Sequence, residues 1–282
     1  MKGKATLERL ILSKEIRDIP QLRESFFALA ERVFSLSFRG WYEKGYWGSR
    51  YQPYTLSKNQ EVLANASVNI MEFLYHGIPK LLIQIGTVMT APEERGKGYA
   101  RRLIEEILRD WRGRCDGIFL FANDSVLNFY PKFRFRKVSE YQTSISVLPR
   151  PGDFEKLDLS LSSHLALWKE AVALGNPYAK LALKDCVYYS PSERLAAIAR
   201  HEGNSLLCYD IFGPCCSSLD DVLSRLAPAD IRNVRLGFSP KGKEYQKLNF
   251  PFWKEDTTLF WLEETENPLE RERLMLPLLS HA

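Results

Sequence analysis

The chain has 282 residues, 45% of them hydrophobic and 26% charged, and a formal net charge of +4 at pH 7. That is the profile of a globular protein with material for one large domain or two ordinary ones. The charge is spread without a long Lys/Arg block, and no apolar run approaches membrane-spanning length, so partnership with nucleic acid or membrane is not expected.

The five cysteines, Cys115, Cys186, Cys208, Cys215 and Cys216, have no metal-ligand spacing. The last two are too close for an ordinary unstrained bridge. Reduced thiols and no metal site are expected. The first residues, MKGKATLERLILSKE, have no long apolar core, so no signal peptide is expected and the reading is cytoplasmic.

Taken in order, Glu8–Ser13 is too brief to assign to strand or helix. Leu22, Phe26, Leu29, Ala30 and Val33 recur at helical spacing and predict a helix over 19–34, started by Asp18 or Pro20. Residues 36–56 are aromatic and aperiodic. They read as a surface loop pinned by aromatic anchors, or as an aromatic wall over a substrate, with Trp41, Tyr46 and Trp47 as candidate contacts beside Glu43. Glu61–Tyr75 predicts a strand and His76-Gly77 a turn into an apolar run, Leu81 to Met89, that suits a strand buried on both faces.

After that run, Arg95-Gly96-Lys97-Gly98 makes a basic turn into a helix with an apolar face of Ala100, Leu103, Ile104, Ile107, Leu108 and Trp111. Strand, glycine turn and helix form an anion-binding construction, because first-turn amides lack partners and glycine admits a phosphate closely. Residues 93–114 carry seven Lys/Arg against five Asp/Glu, which a bound anion explains. Gly117–Ala122 predicts another buried strand, Asn123-Asp124 a cap, and Ser125–Phe133 a short helix facing inward through Val126, Phe129, Tyr130 and Phe133. Tyr141, Thr143, Ile145 and Val147 alternate as in a half-exposed strand. A mixed sheet flanked by helices accounts for residues 1–149.

The segment from Pro149 to Asp153 marks a boundary. Beyond it, 150–282 reads as a second, smaller α/β lobe. Its expected helices are His164–Leu174, Ser192–Arg200 and Leu219–Leu226, the last capped by Ser218. Strands are expected at Ser205–Phe212, Asn233–Phe238 and Thr257–Leu262. This lobe has no glycine-rich phosphate turn.

The turn resembles the acetyl-CoA motif of GNAT N-acetyltransferases, Arg/Gln-x-x-Gly-x-Gly/Ala, through Arg95, Gly98 and Ala100. Residues 123–135 resemble that family's second motif, N-x-x-x-x-x-F-Y-x-x-x-G-F, except that Arg134 stands at the usual glycine. A strained or modified cap is expected there. The two-lobed layout is similar to bacterial GNAT proteins whose second lobe is sometimes a degenerate GNAT-like fold.

The resemblance implies an α/β fold, acetyl-CoA as acyl donor, and direct transfer to an amine on a small molecule or a protein. It places cofactor contacts at Val88, Met89, Thr90, Arg95, Gly96, Lys97, Gly98, Tyr99, Ala100, Arg101, Asn123, Asn128 and Tyr130. Tyr130 would also act as general acid for the departing thiolate. No carboxylate lies between Ile78 and Thr90, so Glu72, His76 or the terminal carboxylate of Ala282 remain as candidate bases. A non-catalytic acyl-CoA sensor or scaffold is the alternative.

Overall fold

The computed structural model describes residues 9–171, 183–214, 217–242 and 244–281. Cys215, Cys216 and Ala282, and the end of the helix expected at His164–Leu174, lie outside the described residues. Among the described residues no helix is long and apolar enough to cross a membrane.

The chain divides into two compact units, Met1–Lys137 with Glu255–Asn267 and Val138–Lys254 with Pro268–Ala282. The first holds β1 (Ile11–Ser13), β2 (Tyr51–Lys58), β3 (Glu61–Tyr75), β4 (Ile78–Thr90), β5 (Gly117–Ala122), β6 (Phe135–Lys137) and β14 (Thr258–Leu262). Their order in one seven-stranded sheet is β1-β2-β3-β4-β5-β14-β6. Only β4 and β5 are parallel neighbours. The hairpin between β3 and β4 turns on His76 and Gly77 at φ 51 and 78, the two-residue geometry that matches strand twist.

Strand β3 separates two chemistries by its period of two. Ala64, Ala66 and Val68 face helix α3 (Tyr99–Trp111) in one core with Leu103, Ile104 and Ile107. Asn65 and Ser67 point to the other face, where helix α1 (Pro20–Phe34) packs.

On that second face the aromatic segment folds into the core. A short helix α2 (Arg39–Glu43) carries Trp41, which stacks on Trp47 at 5.7 Å. Both meet Tyr51 at 5.2 and 5.5 Å, and Trp47 also meets Phe26 at 5.6 Å. Residues from Tyr51 onward are not loop but strand. Pro53 is tolerated in β2 because β1 reaches only Thr55–Ser57, leaving Pro53 on an uncovered edge.

The second unit contains β7 (Glu140–Ser146), β8 (Glu155–Lys156), β9 (Val187–Ser190), β10 (Leu195–Glu202), β11 (Ser205–Phe212), β12 (Asn233–Leu236) and β13 (Asn249–Phe252). They run β13-β7-β12-β11-β10-β9-β8, with only β11 and β12 parallel. Helix α4 (Ser162–Ala171) precedes β9, and α5 (Leu219–Leu226) joins β11 to β12. Ser218 caps α5 by accepting from the Asp221 amide at 3.2 Å, as its sequence predicts.

From β1 to β6 and from β8 to β13 the two sheets run through the same succession of antiparallel and parallel neighbours. Each takes its sixth strand from the other part of the chain. Tyr141–Val147, expected in the first sheet, supplies β7 of the second. Thr257–Leu262, expected in the second lobe, supplies β14 of the first, between β5 and β6. Trp261 of β14 lies so close to Gly117 that a Cβ there would come within 2.5 Å of its ring.

Two helices expected from sequence are different structures. Ser192–Arg200 is largely strand β10. Its run Leu195–Ala199 is buried on both faces of a strand paired with β9 and β11, and that pairing overrides the helix propensity of Ala, Leu and Arg. Ser125–Phe133 is replaced by two 3-10 turns, Asp124–Val126 and Tyr130–Phe133. Val126 is exposed there, whereas Tyr130 and Phe133 are buried.

The C-terminal residues dock on the second sheet, as their apolar character suggests. The Leu278 amide donates to the Gly237 carbonyl at 2.7 Å. The Leu276 amide donates to Glu140 at 2.9 Å, and the His281 ring lies 3.6 Å from the same carboxylate oxygen.

Candidate functional site

Strands β4 and β5 pair from Leu82 opposite Gly117 to Ile85 opposite Leu120, and no further. Beyond Ile85, β4 continues to Thr90 along β3 alone. Its other edge therefore pairs with no described strand, the arrangement that accepts an extended ligand as an added strand. Val88 and Thr90 are half-buried on this stretch and Met89 is buried.

A bulge turns the strand at this point. Ser67 pairs with Gly86 and Asn65 with Met89, so one residue of β3 opposes two of β4. Thr87 takes φ 49 there, a conformation that β-branched residues seldom adopt. A buried polar chain holds it. Asn65 Nδ2 donates to the Thr87 carbonyl at 2.8 Å and to Ser67 Oγ at 2.9 Å. Ser67 Oγ in turn donates to the Tyr51 hydroxyl at 2.8 Å. Burial pushes the Tyr51 phenol up to about 12, against the opposing effect of its bonds to Ser67 and Thr87. It stays neutral and serves as a structural partner.

The basic turn follows β4. Gly96 and Gly98 take φ 80 and 81, and a Cβ added to either would meet nothing within 4 Å. Here glycine serves the left-handed backbone and leaves space beside it. No backbone amide from Gly96 to Arg101 donates to another described backbone group, while the Gly98 carbonyl accepts the first helical bond, from Arg102. Tyr99, Ala100 and Arg101 open α3, so the free amides and the helix dipole converge on one spot. The charges are less uniform than the sequence implies. Lys97 pairs with Glu94 at 2.8 Å and Arg101 lies 3.5 Å from Glu105, whereas Arg95 makes no ion pair with a described residue.

Across the splay, residues 123–134 follow β5. Asn123 does not cap the turn with its own side chain. Its Nδ2 donates to Asp256 Oδ2 at 3.0 Å, and the Asp124 amide donates to Asp256 Oδ1 at 2.7 Å. Asn128 is exposed. Tyr130 packs on Phe129, Phe135 and Phe260 at 5.2, 6.4 and 5.8 Å. Its hydroxyl makes no hydrogen bond to a described residue, and burial raises it to about 12. Arg134 adopts φ 70, a non-glycine residue in the left-handed cap, at the position where strain was expected. Its guanidinium pairs with Glu264, so it is not a free cation beside the turn.

Other expected residues lie elsewhere. Glu72 stands opposite Leu81, roughly 23 Å along the strand from Val88 at 3.3 Å per residue. It pairs there with Arg50 at 2.7 Å, which removes it as a base at the splay. His76 is at the hairpin tip beyond Glu72. Trp41 and Trp47, only 6% and 4% exposed, have their faces against other rings, so they anchor α2 in the core and do not present an aromatic wall. Tyr46 is half-buried beside them. Ala282 lies outside the described residues.

Residues 12–137 match the family model described as Acetyltransferase (GNAT) domain. The first unit contains a GNAT domain. The match ends before β14, so the strand completing the GNAT sheet comes from outside it. The chain matches no curated protein. Among solved structures it is similar to a probable N-acyltransferase of unknown function from Enterococcus faecalis, with 14% identity and a TM-score of 0.58 over 91% of this chain and 73% of that one. A GCN5-related N-acetyltransferase from Kribbella flavida gives 17% and 0.54 over 92% and 72%. Eis1 from Mycobacterium abscessus gives 14% and 0.53 over 89% and 73%. At these identities the likeness is one of fold, and it extends across both units.

Sequence reasoning missed Thr87, Asn65, Ser67 and Tyr51 as a unit, and Asp256 and Glu264 altogether. The first four give no local signal because they meet only across strands. The last two are far along the chain from the motif they touch.

Proposed function

We propose that the GNAT domain transfers the acetyl group of acetyl-CoA directly to an amine of a small molecule or a protein. The observation that carries this reading is the sequence of two features along one stretch of chain, a strand edge and then a helix start. The amides of Gly96–Arg101, which donate to no described backbone group, suit the pyrophosphate, and the edge of β4 from Gly86 to Thr90, which pairs with no described strand, suits the amide-bearing pantetheine arm. In this reading Val88 and Thr90 pair with the arm, Met89 backs it, and Asn123 and Asn128 approach it from the β5 side. Tyr130 protonates the sulfur.

The amine nitrogen attacks the thioester carbonyl, the carbon–sulfur bond breaks, the thiolate takes the proton held by Tyr130 Oη, and the proton shed by the acylated nitrogen passes through solvent to re-protonate the phenolate. The buried phenol is protonated at neutral pH, as an exposed tyrosine also is, so a proton is available there to donate. The amine must arrive neutral or lose its proton at the site.

The test is calorimetric titration with acetyl-CoA, followed by thiol release over a panel of amines. Binding with release for at least one amine is expected, and absence of binding would overturn the reading. The position of Glu72, far from the splay, favours a second reading as a non-catalytic acyl-CoA sensor. Acetyl-CoA binding without thiol release, unchanged in Tyr130→Phe, would support that one.

A further inference from the structure

The segment that supplies β14 touches residues 123–134 at both ends. On its N-terminal side Asp256 offers one carboxylate oxygen to the Asp124 amide and the other to the Asn123 side chain. On its C-terminal side Glu264 accepts from the Arg134 guanidinium and, through Oε2, from Arg112 Nε at 2.9 Å. The neighbouring Glu263 amide donates to the Arg134 carbonyl at 3.0 Å. Between these ends Phe260 lies against the Tyr130 ring.

We propose that Asp256 and Glu264 are positioning residues for the acyl-donor site, clamping the two ends of the segment that carries Tyr130. The proposal rests on the acetyl-CoA reading above. Each half has a chemical consequence. Asp256 takes one of the two Asn123 amide hydrogens and so fixes that side chain, leaving Oδ1 and the second N–H to meet a ligand amide. Glu264 holds Arg134 in a left-handed turn that glycine would adopt unaided. The pair thus replaces a missing glycine with a brace supplied from the other end of the chain.

The experiment titrates acetyl-CoA into the full chain as wild type, Asp256→Ala, Glu264→Ala and Glu264→Ala combined with Arg134→Gly. Thermal unfolding and amide hydrogen exchange over residues 123–134 accompany it, with Glu155→Gln as a surface control. Each single variant is expected to bind about tenfold more weakly and to exchange faster in this segment, while melting near the control. Adding Arg134→Gly to Glu264→Ala is expected to restore affinity, which a merely stabilising ion pair would not do. Glu264→Gln carries the same test if the alanine variant does not fold. Wild-type binding with unchanged affinity in both single variants overturns the clamp, and failure of glycine to rescue overturns the Arg134 half. A wild type that does not bind acetyl-CoA overturns the functional reading instead.

Discussion

A tyrosine protonates a leaving thiolate only while it keeps its own proton. Burial raises Tyr130 to about 12, so the acid form persists as pH rises and is lost only near that value. The kcat profile is therefore expected to show no basic limb from Tyr130 below about pH 10. Tyr130→Phe should keep acetyl-CoA affinity and lose about 10²–10⁴-fold in kcat. Asn65 supports the site differently, by one hydrogen bond to the carbonyl of Thr87, which sits at positive φ, and a second, buried one to Ser67. Asn65→Ala should cost about 1–3 kcal/mol in denaturant unfolding with little change in slope. Tyr130 was legible from its motif. Asn65 was not, because nothing in a run of alternating residues says which side chain will meet a carbonyl across the sheet.

The strand–turn–helix from Ile78 to Trp111 was legible because its signals are local and agree: a long apolar run, two glycines, then a clean helical period. Gly98→Ala tests the turn. A left-handed alanine costs roughly 1–2 kcal/mol, no side chain obstructs the new Cβ, and acetyl-CoA affinity should fall while the fold persists. Strand β10 was illegible because Leu195–Ala199 combines good helix formers with the unbroken apolar run of a buried strand. Its partner β11 shows a second pH effect. Burial raises Asp210 from 3.8 to about 6, so the native carboxyl binds its proton more tightly than the unfolded one. Stability should accordingly fall as pH rises from about 4 to 6. Asp210→Asn should recover about 1–3 kcal/mol at pH 7 and almost nothing at pH 4, measured by unfolding at both values.

At the scale of the whole chain, the strands were largely visible and their allegiance was not. Residues 141–147 and 257–262 have ordinary strand patterns, but a pattern of period two does not state which sheet it will join. A fragment ending at residue 149 is expected to be insoluble or molten, since β5 and β6 would each present an open edge where β14 belongs. Linking residues 255–267 to residue 137 should restore a cooperative thermal transition, and failure to do so would separate the exchange from folding. The same exchange sets an order of events during synthesis. The chain up to Lys137 leaves the ribosome long before Thr258 is made, and at roughly 5–20 residues per second that interval is on the order of 10 s. Throughout it the nascent GNAT domain lacks an inner strand and must be shielded by a chaperone or wait partly folded. The first sheet is thus committed to closing late, only after every strand of the second sheet has been made.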